Sequence, residues 1–245
     1  MHSPVEKSQA GAKTIVVFCH GFLGSPRQFT DLAELAYGYQ CAVLSLLLPG
    51  HGGSGRDFSR SRLADWEGHL DSELRRVAPA YEDVILVGHS MGGLLCLNAS
   101  LERAHKVRGV LLLSSPLKLR FPLRSLGLGL RLIFSKKPAD AALEAYRDAS
   151  SVSSRSALAS VLWLRQVADV YRLMGKTRRN LPGVFVPTTV VHSKRDETVA
   201  FRSAHLFRDG LTQARMLTLE QSRHAHYVPA ERELIGRALL ELIEG

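Results

Sequence analysis

Short apolar runs alternate along the chain with segments whose apolar residues recur at helical spacing. The runs are Thr14 to Cys19, Cys41 to Leu48, Asp83 to Val87, Val107 to Leu113, Pro187 to His192 and Ala214 to Leu219. The first two are continuous, which suits strands buried on both faces rather than strands with a wet side. Between them Phe29, Leu32, Ala33, Leu35 and Ala36 make a helical stripe that ends near Gly38, and Trp66, Leu70, Leu74 and Val77 make another. Leu94 to Ala99 continues as a helix former, and a helix from about Ala230 to Ile243 closes the chain. Strands alternating with helices predict βαβ units and a parallel, doubly wound sheet, in which ligands sit at the carboxyl ends of the strands.

The rhythm breaks after Pro116. Leu117 to Arg179 is rich in Leu, Arg and Ser, with helical periodicity through Ala141 to Tyr146 and again through Leu158, Val161, Leu162, Leu164, Val167, Val170 and Leu173. A long interruption at the active edge of such a sheet reads as a helical cap, with ordinary packing of extra helices as the alternative. Leu126 to Phe134, interleaved with Arg124 and Arg131, suits a buried cap core, an acyl pocket or transient contact with a membrane surface. The expected division is a flexible polar tail over 1–13, the first part of an α/β core over 14–116, the cap over 117–183, and the second part of the core over 184–245.

Composition adds boundaries rather than a function. The 245 residues are 45% hydrophobic and 22% charged, ordinary values for one globular domain with an insertion. The first residues lack the apolar core of a signal peptide and no run approaches a membrane span, so a cytoplasmic location is expected. A net charge of +9 raises nucleic acid as a partner, but the excess is spread over Arg56 to Arg62 and Lys118 to Arg131 and no nucleic-acid-binding signature accompanies it. Nucleic-acid binding is not expected. Cys19, Cys41 and Cys96 sit within apolar patterns, and an odd count without C-x-x-C spacing argues against disulfides or zinc.

The chemistry is carried by Val84-Ile85-Leu86-Val87-Gly88-His89-Ser90-Met91-Gly92-Gly93. A buried strand that stops at Gly-x-Ser-x-Gly reads as a nucleophile elbow, with Ser90 exposed at the head of the following helix. After the first strand, His20-Gly21-Phe22-Leu23-Gly24-Ser25 either makes a plain turn or aims a main-chain N–H at a ligand, with Phe22 the candidate oxyanion-hole donor. Pro49 to Gly55 invites comparison with a phosphate loop but lacks its spacing and its Gly-Lys-Ser/Thr ending. Asp196 lies just past a strand, and His224 and His226 lie past the last one, so an order of Ser, Asp and His runs through the chain. Spacing leaves His224 and His226 equivalent as the base. His20, His51 and His89 have no metal-ligand spacing and read as loop-shaping or supporting residues.

With His20-Gly21-Phe22, Gly88 to Gly93, Asp196 and His224 in order, the sequence resembles α/β-hydrolase serine esterases, above all the bacterial carboxylesterase and monoacylglycerol lipase group. The likeness covers roughly Ile15 to Pro116 and Val184 to Ile243. It implies an α/β-hydrolase fold with a mostly parallel doubly wound sheet and a helical cap. It also implies Ser90, Asp196 and His224 as a catalytic triad, with His226 as the alternative base, and Phe22 and Met91 as the two oxyanion-hole amides. Glu220-Gln221-Ser222-Arg223-His224 matches the pattern in which the histidine stands two places after a serine, which favours His224. The implied substrates are small ester or lipid molecules, cleaved through an acyl-enzyme without cofactor or metal. The same triad serves thioesters, amides and cofactor-free haloperoxidases, and the fold also occurs in binding proteins without turnover.

Overall fold

Seven strands of a single sheet carry the chain in the computed structural model, which describes residues 2–120, 150–152 and 163–245. They are β1 (Val5–Lys7), β2 (Thr14–Cys19), β3 (Ala42–Ser45), β4 (Asp83–His89), β5 (Val107–Leu113), β6 (Thr188–Ser193) and β7 (Ala214–Leu219). Their order in the sheet is β1-β3-β2-β4-β5-β6-β7. Every neighbouring pair is parallel except β1 with β3. The helices among the described residues are α1 (Thr30–Gly38), α2 (Gly55–Arg60), α3 (Leu63–Val77), α4 (Met91–Ala99), α5 (Leu164–Asn180), α6 (Arg202–Gly210) and α7 (Pro229–Glu244).

Two apolar layers explain why the central strands are largely apolar on both faces. Successive side chains of a strand point to opposite faces. Ile15, Val17 and Cys19 of β2 therefore join Trp66, Leu70 and Leu74 of α3 and Leu94 of α4, while Val16 and Phe18 join Phe29, Leu32 of α1 and Ile235, Leu239 of α7. Removing each such side chain from water contributes roughly 1.5–3 kcal/mol. The α3 stripe is the one its spacing predicts, and Trp66 finds a partner for its ring N–H in the Pro49 carbonyl at 3.1 Å.

The segment 1–13 differs from the loose tail suggested by its composition. β1 pairs with β3, Val5 opposite Ser45 and Lys7 opposite Val43. Arg76 donates to both carboxylate oxygens of Glu6 at 3.1 and 2.9 Å, and Lys7 donates to Glu34 at 2.5 Å. An edge strand facing water is anchored by its backbone ladder and by ion pairs, and hydropathy registers neither. β3 is shorter than its apolar run: Leu46 still donates its N–H to the Phe18 carbonyl at 2.9 Å, and Leu48 is buried beyond the last rung of the ladder.

Much of the expected cap, including Leu126 to Phe134, Ala141 to Tyr146 and Leu158 to Leu162, lies outside the described residues. The described parts of 117–183 are tied to the core. Leu119 bridges Val199, with Arg120 N–H donating to Thr198 and Ala200 N–H donating to Lys118, both at 2.9 Å. Ser151 N–H donates to the Leu23 carbonyl at 2.9 Å, and its hydroxyl donates to Gly24 at 2.5 Å and accepts from Gly52 N–H at 3.1 Å. α5 buries Val170, Leu173 and Met174 in the same apolar layer as Leu70 and Leu94. It packs on α3 and α4, where Asp169 accepts from Arg62 and Thr177 from Asn98. The last quarter of the segment is thus a helix of the layered core.

Candidate active site

β4 ends where Ser90 turns the chain into α4. Ser90 has φ 52° and ψ −122°, a left-handed conformation that costs a non-glycine residue on the order of 1–3 kcal/mol and persists only where its surroundings enforce it. Two contacts do so. The Ser90 N–H donates to the Leu113 carbonyl at the end of β5, at 2.8 Å. On the far side of the turn α4 crowds the end of β2 so closely that a Cβ on Gly92 would lie 2.1 Å from the Cys19 carbonyl oxygen. Only glycine fits there, which is the physical content of the Gly-x-Ser-x-Gly spacing.

The structure brings Ser90, His224 and Asp196 together from three strand ends. Ser90 Oγ lies 3.1 Å from His224 Nε2, and His224 Nδ1 lies 2.8 Å from Asp196 Oδ2. The carboxylate accepts the ring N–H, which leaves Nε2 with a lone pair facing the Ser90 hydroxyl. Asp196 Oδ1 accepts from the Thr198 and Val199 N–H groups at 2.8 and 2.7 Å. Burial alone would raise the Asp196 carboxyl, but the His224 charge and these hydrogen bonds hold it below the usual carboxylate range. Burial likewise opposes the His224 charge, and Asp196 more than offsets it, so the imidazole titrates above its ordinary value.

The expected neighbours fall at different places. His226 is not the ring that meets Ser90. Its carbonyl accepts from Arg223 N–H at 2.8 Å, and the residue lines a cavity of about 520 Å³ beside His89, together with Phe29, Tyr227 and Arg232. Phe22 is half-buried, its ring edge-on to Phe58 at 5.0 Å between centroids. The loop it sits on runs hard against the elbow, since a Cβ on Gly21 would lie 2.9 Å from Ser90 Cβ. Met91 is the first residue of α4 and is buried.

The histidines without metal spacing are structural in their contacts. His20 Nε2 accepts from Leu48 N–H at 3.0 Å, and its Nδ1–H donates to the Gly21 carbonyl at 2.9 Å. His51 packs against His20 at 4.6 Å, and burial lowers it to about 4. Among the described residues no group of three or more His, Cys, Asp or Glu side chains could hold a metal ion, and no helix is long and apolar enough to cross a membrane.

Three residues support the site: His89, which the sequence reads as a supporting residue, and Glu197 and Glu231, which it does not single out. Glu197 accepts from the His224 backbone N–H at 3.3 Å, His89 donates to the His224 carbonyl, and Glu231 holds the turn just upstream. The one available signal for Glu231 is an acid in the first turn of a helix opened by Pro229, a common position next to unpaired N–H groups.

Comparison with known proteins agrees with this architecture. The chain is 23% identical over 236 residues to the thermostable monoacylglycerol lipase of Bacillus sp. (strain H-257), covering 92% of this chain and 88% of that one. Its fold superposes on a structure from the study of the metagenome-derived lipolytic enzymes LipS and LipT with a TM-score of 0.78, at 20% identity, covering 99% of this chain and 97% of the other. It matches the monoacylglycerol lipase of Paleococcus ferrophilus with a TM-score of 0.73 at 17% identity, covering 99% and 98% of the two chains. The family model of the alpha/beta hydrolases matches residues 16–236, and the chain belongs to the alpha/beta hydrolase family.

Proposed function

We propose that the protein is a serine hydrolase of carboxylic esters, acting on short- to medium-chain acyl esters or monoacylglycerols through an acyl-enzyme. The observation that carries this reading is the relay Ser90 Oγ to His224 Nε2 to Asp196 at 3.1 and 2.8 Å, set on a strained elbow. The similarity to lipolytic enzymes supports the same substrate class.

Each group has one task in this mechanism. Ser90 Oγ attacks the ester carbonyl carbon while its proton passes to His224 Nε2, and the imidazolium is stabilised by Asp196 through Nδ1–H. The carbonyl oxygen gains the negative charge, which the N–H groups of Phe22 and Met91 meet from a preformed backbone, each worth on the order of 3 kcal/mol. The intermediate collapses as Nε2–H protonates the departing alkoxide, leaving acyl-Ser90 and the free alcohol. Water, deprotonated by the same Nε2, then releases the acid and restores the Ser90 hydroxyl. Every proton borrowed by His224 is returned.

A panel of p-nitrophenyl esters of graded acyl length, run beside an acyl-thioester and 1-monoacylglycerol, tests this function. Turnover of esters that disappears in Ser90→Ala is the expected result. Faster turnover of the thioester than of every ester would assign the site to thioesters instead.

A further inference from the structure

The exit of β7 is held by a carboxylate from the next element. Glu231, in the first turn of α7, accepts from the N–H groups of Glu220 at 2.6 Å and Gln221 at 3.0 Å through Oε1, and from Ser222 N–H at 2.8 Å through Oε2. It is 8% exposed, so these bonds form largely out of water, where charge-assisted bonds are stronger. Ser222 is itself tied on both sides. Its hydroxyl accepts from Val228 N–H at 3.1 Å, and its carbonyl accepts a short bond from the Ser193 hydroxyl at the end of β6. The chain from 220 to 222 is therefore fixed to β6, to α7 and to the far end of its own loop, and His224 follows two residues later.

We propose that Glu231 is a positioning residue, whose carboxylate pins the turn 220–222 and thereby sets where the His224 ring stands between Ser90 and Asp196. The proposal rests on the ester-hydrolase reading of the site for its kinetic consequence, but not for its structural one. A strand end with three consecutive unpaired N–H groups would otherwise turn to water and take its geometry from solvent. Glu231 removes that freedom. Because reaction rates are steep in the placement of a base, a displacement of about 1 Å at His224 is enough to cost up to about 10²-fold in turnover. Burial works against the Glu231 charge, yet Ser222 and the backbone N–H groups keep its carboxyl below the ordinary range, so the clamp is ionised at neutral pH.

The test compares Glu231→Ala with the isosteric Glu231→Gln in the full chain. Turnover of p-nitrophenyl butyrate is counted per active site by fluorophosphonate titration, and the low-field proton of the His224–Asp196 bond is followed by NMR. Glu231→Ala should lower kcat at least tenfold per titrated site with KM within twofold, and should broaden or abolish the low-field proton. Glu231→Gln, which keeps an oxygen for two of the three N–H groups, should lose clearly less of both. Unchanged kcat per site with an unchanged low-field proton overturns the proposal. So does a loss confined to the number of titratable sites, which marks a role in folding alone. If Ser90→Ala turns over every ester as fast as the parent, the hydrolase reading falls separately. The clamp then stands if Glu231→Ala loses the low-field proton and falls if it does not.

Discussion

The ring of His89 donates through Nε2–H to the backbone carbonyl of His224 at 2.8 Å, joining the residue before the elbow serine to the residue that faces it. The ring is buried, and burial together with the neighbouring His224 lowers it to about 3, so it is neutral at neutral pH. A neutral imidazole with one N–H is a fixed donor. His89→Phe fills similar space but leaves the His224 carbonyl without that donor. It should destabilise the fold by about 1–3 kcal/mol, read from urea denaturation, and lower kcat several-fold with little change in KM. An unaltered kcat would show that the Glu231 and Glu197 contacts hold His224 without it.

Ser90→Ala and His224→Ala should each lower ester turnover by about 10³-fold or more, and the double variant should be scarcely worse than either, because members of such a unit are not additive. His226→Ala should retain most of the activity. Values of kcat for the three single variants and the double decide this, and an active His224→Ala beside an inactive His226→Ala would exchange the two roles. A fluorophosphonate probe should mark Ser90 and no other serine.

The difference between these two histidines marks the limit of what the chain discloses before it folds. Residues whose periodicity reflects burial were legible: Thr14–Cys19 and Val107–Leu113 form strands at the predicted bounds, and Trp66, Leu70, Leu74 and Val77 line the buried stripe of α3. The Gly-x-Ser-x-Gly turn was legible because glycine spacing records a steric contact. β1 was not, since Val5-Glu6-Lys7 is held by backbone pairing and ion pairs that leave no apolar pattern. Nor did spacing choose His224, which only the likeness of Glu220 to His224 to the ester-hydrolase pattern favours. His224 and His226 are separated by a loop closed between Ser222 and Val228, a tertiary fact with no local signature. α2 is betrayed only by its capping box, in which Ser54 and Asp57 bond each other's backbone N–H.

The opposite shifts of His224 and Asp196 set a pH dependence. His224 accepts a proton only when neutral, so kcat/KM should fall on the acid side with a midpoint above the ordinary imidazole value of 6.5. For stability the signs differ. Asp196, held below 3.8, contributes above that value and loses its contribution as the pH falls through its folded pKa. His224, held above 6.5, contributes fully below that value and loses its contribution as the pH rises through its folded pKa. The pair therefore stabilises the fold most between about 3.8 and 6.5. Denaturation midpoints of the parent and of Asp196→Asn should differ most inside the window, converge on its acid side as Asp196 protonates, and only draw closer on its alkaline side, where the His224 contribution is lost and that of Asp196 remains.

Asp169 joins α5 to the entry of α3. It accepts from Arg62 at 2.6 and 3.1 Å, from Leu63 N–H at 3.3 Å and from Arg172 at 2.6 Å, with its side chain 3% exposed. Asp169→Ala leaves the part-buried Leu63 N–H and the guanidinium groups of Arg62 and Arg172 without this acceptor and should cost about 1–3 kcal/mol. Because none of these bonds involves Ser90, Asp196 or His224, kcat at temperatures where the variant is folded should stay within twofold. Thermal unfolding and kcat on one soluble ester check both halves of this statement.

Two clamps bound residues 121–149 on the core. Leu119 is bridged to Val199 on the departing side, and Ser151 is bonded to Leu23, Gly24 and Gly52 on the returning side. Departure and return are thus fixed independently of what lies between them, as the mounting points of a cassette are. Substituting a segment of different length or composition between Arg120 and Ser150 should leave β2, β4 and the elbow undisturbed. The same core becomes a chassis that can take a different insert by grafting rather than by redesign.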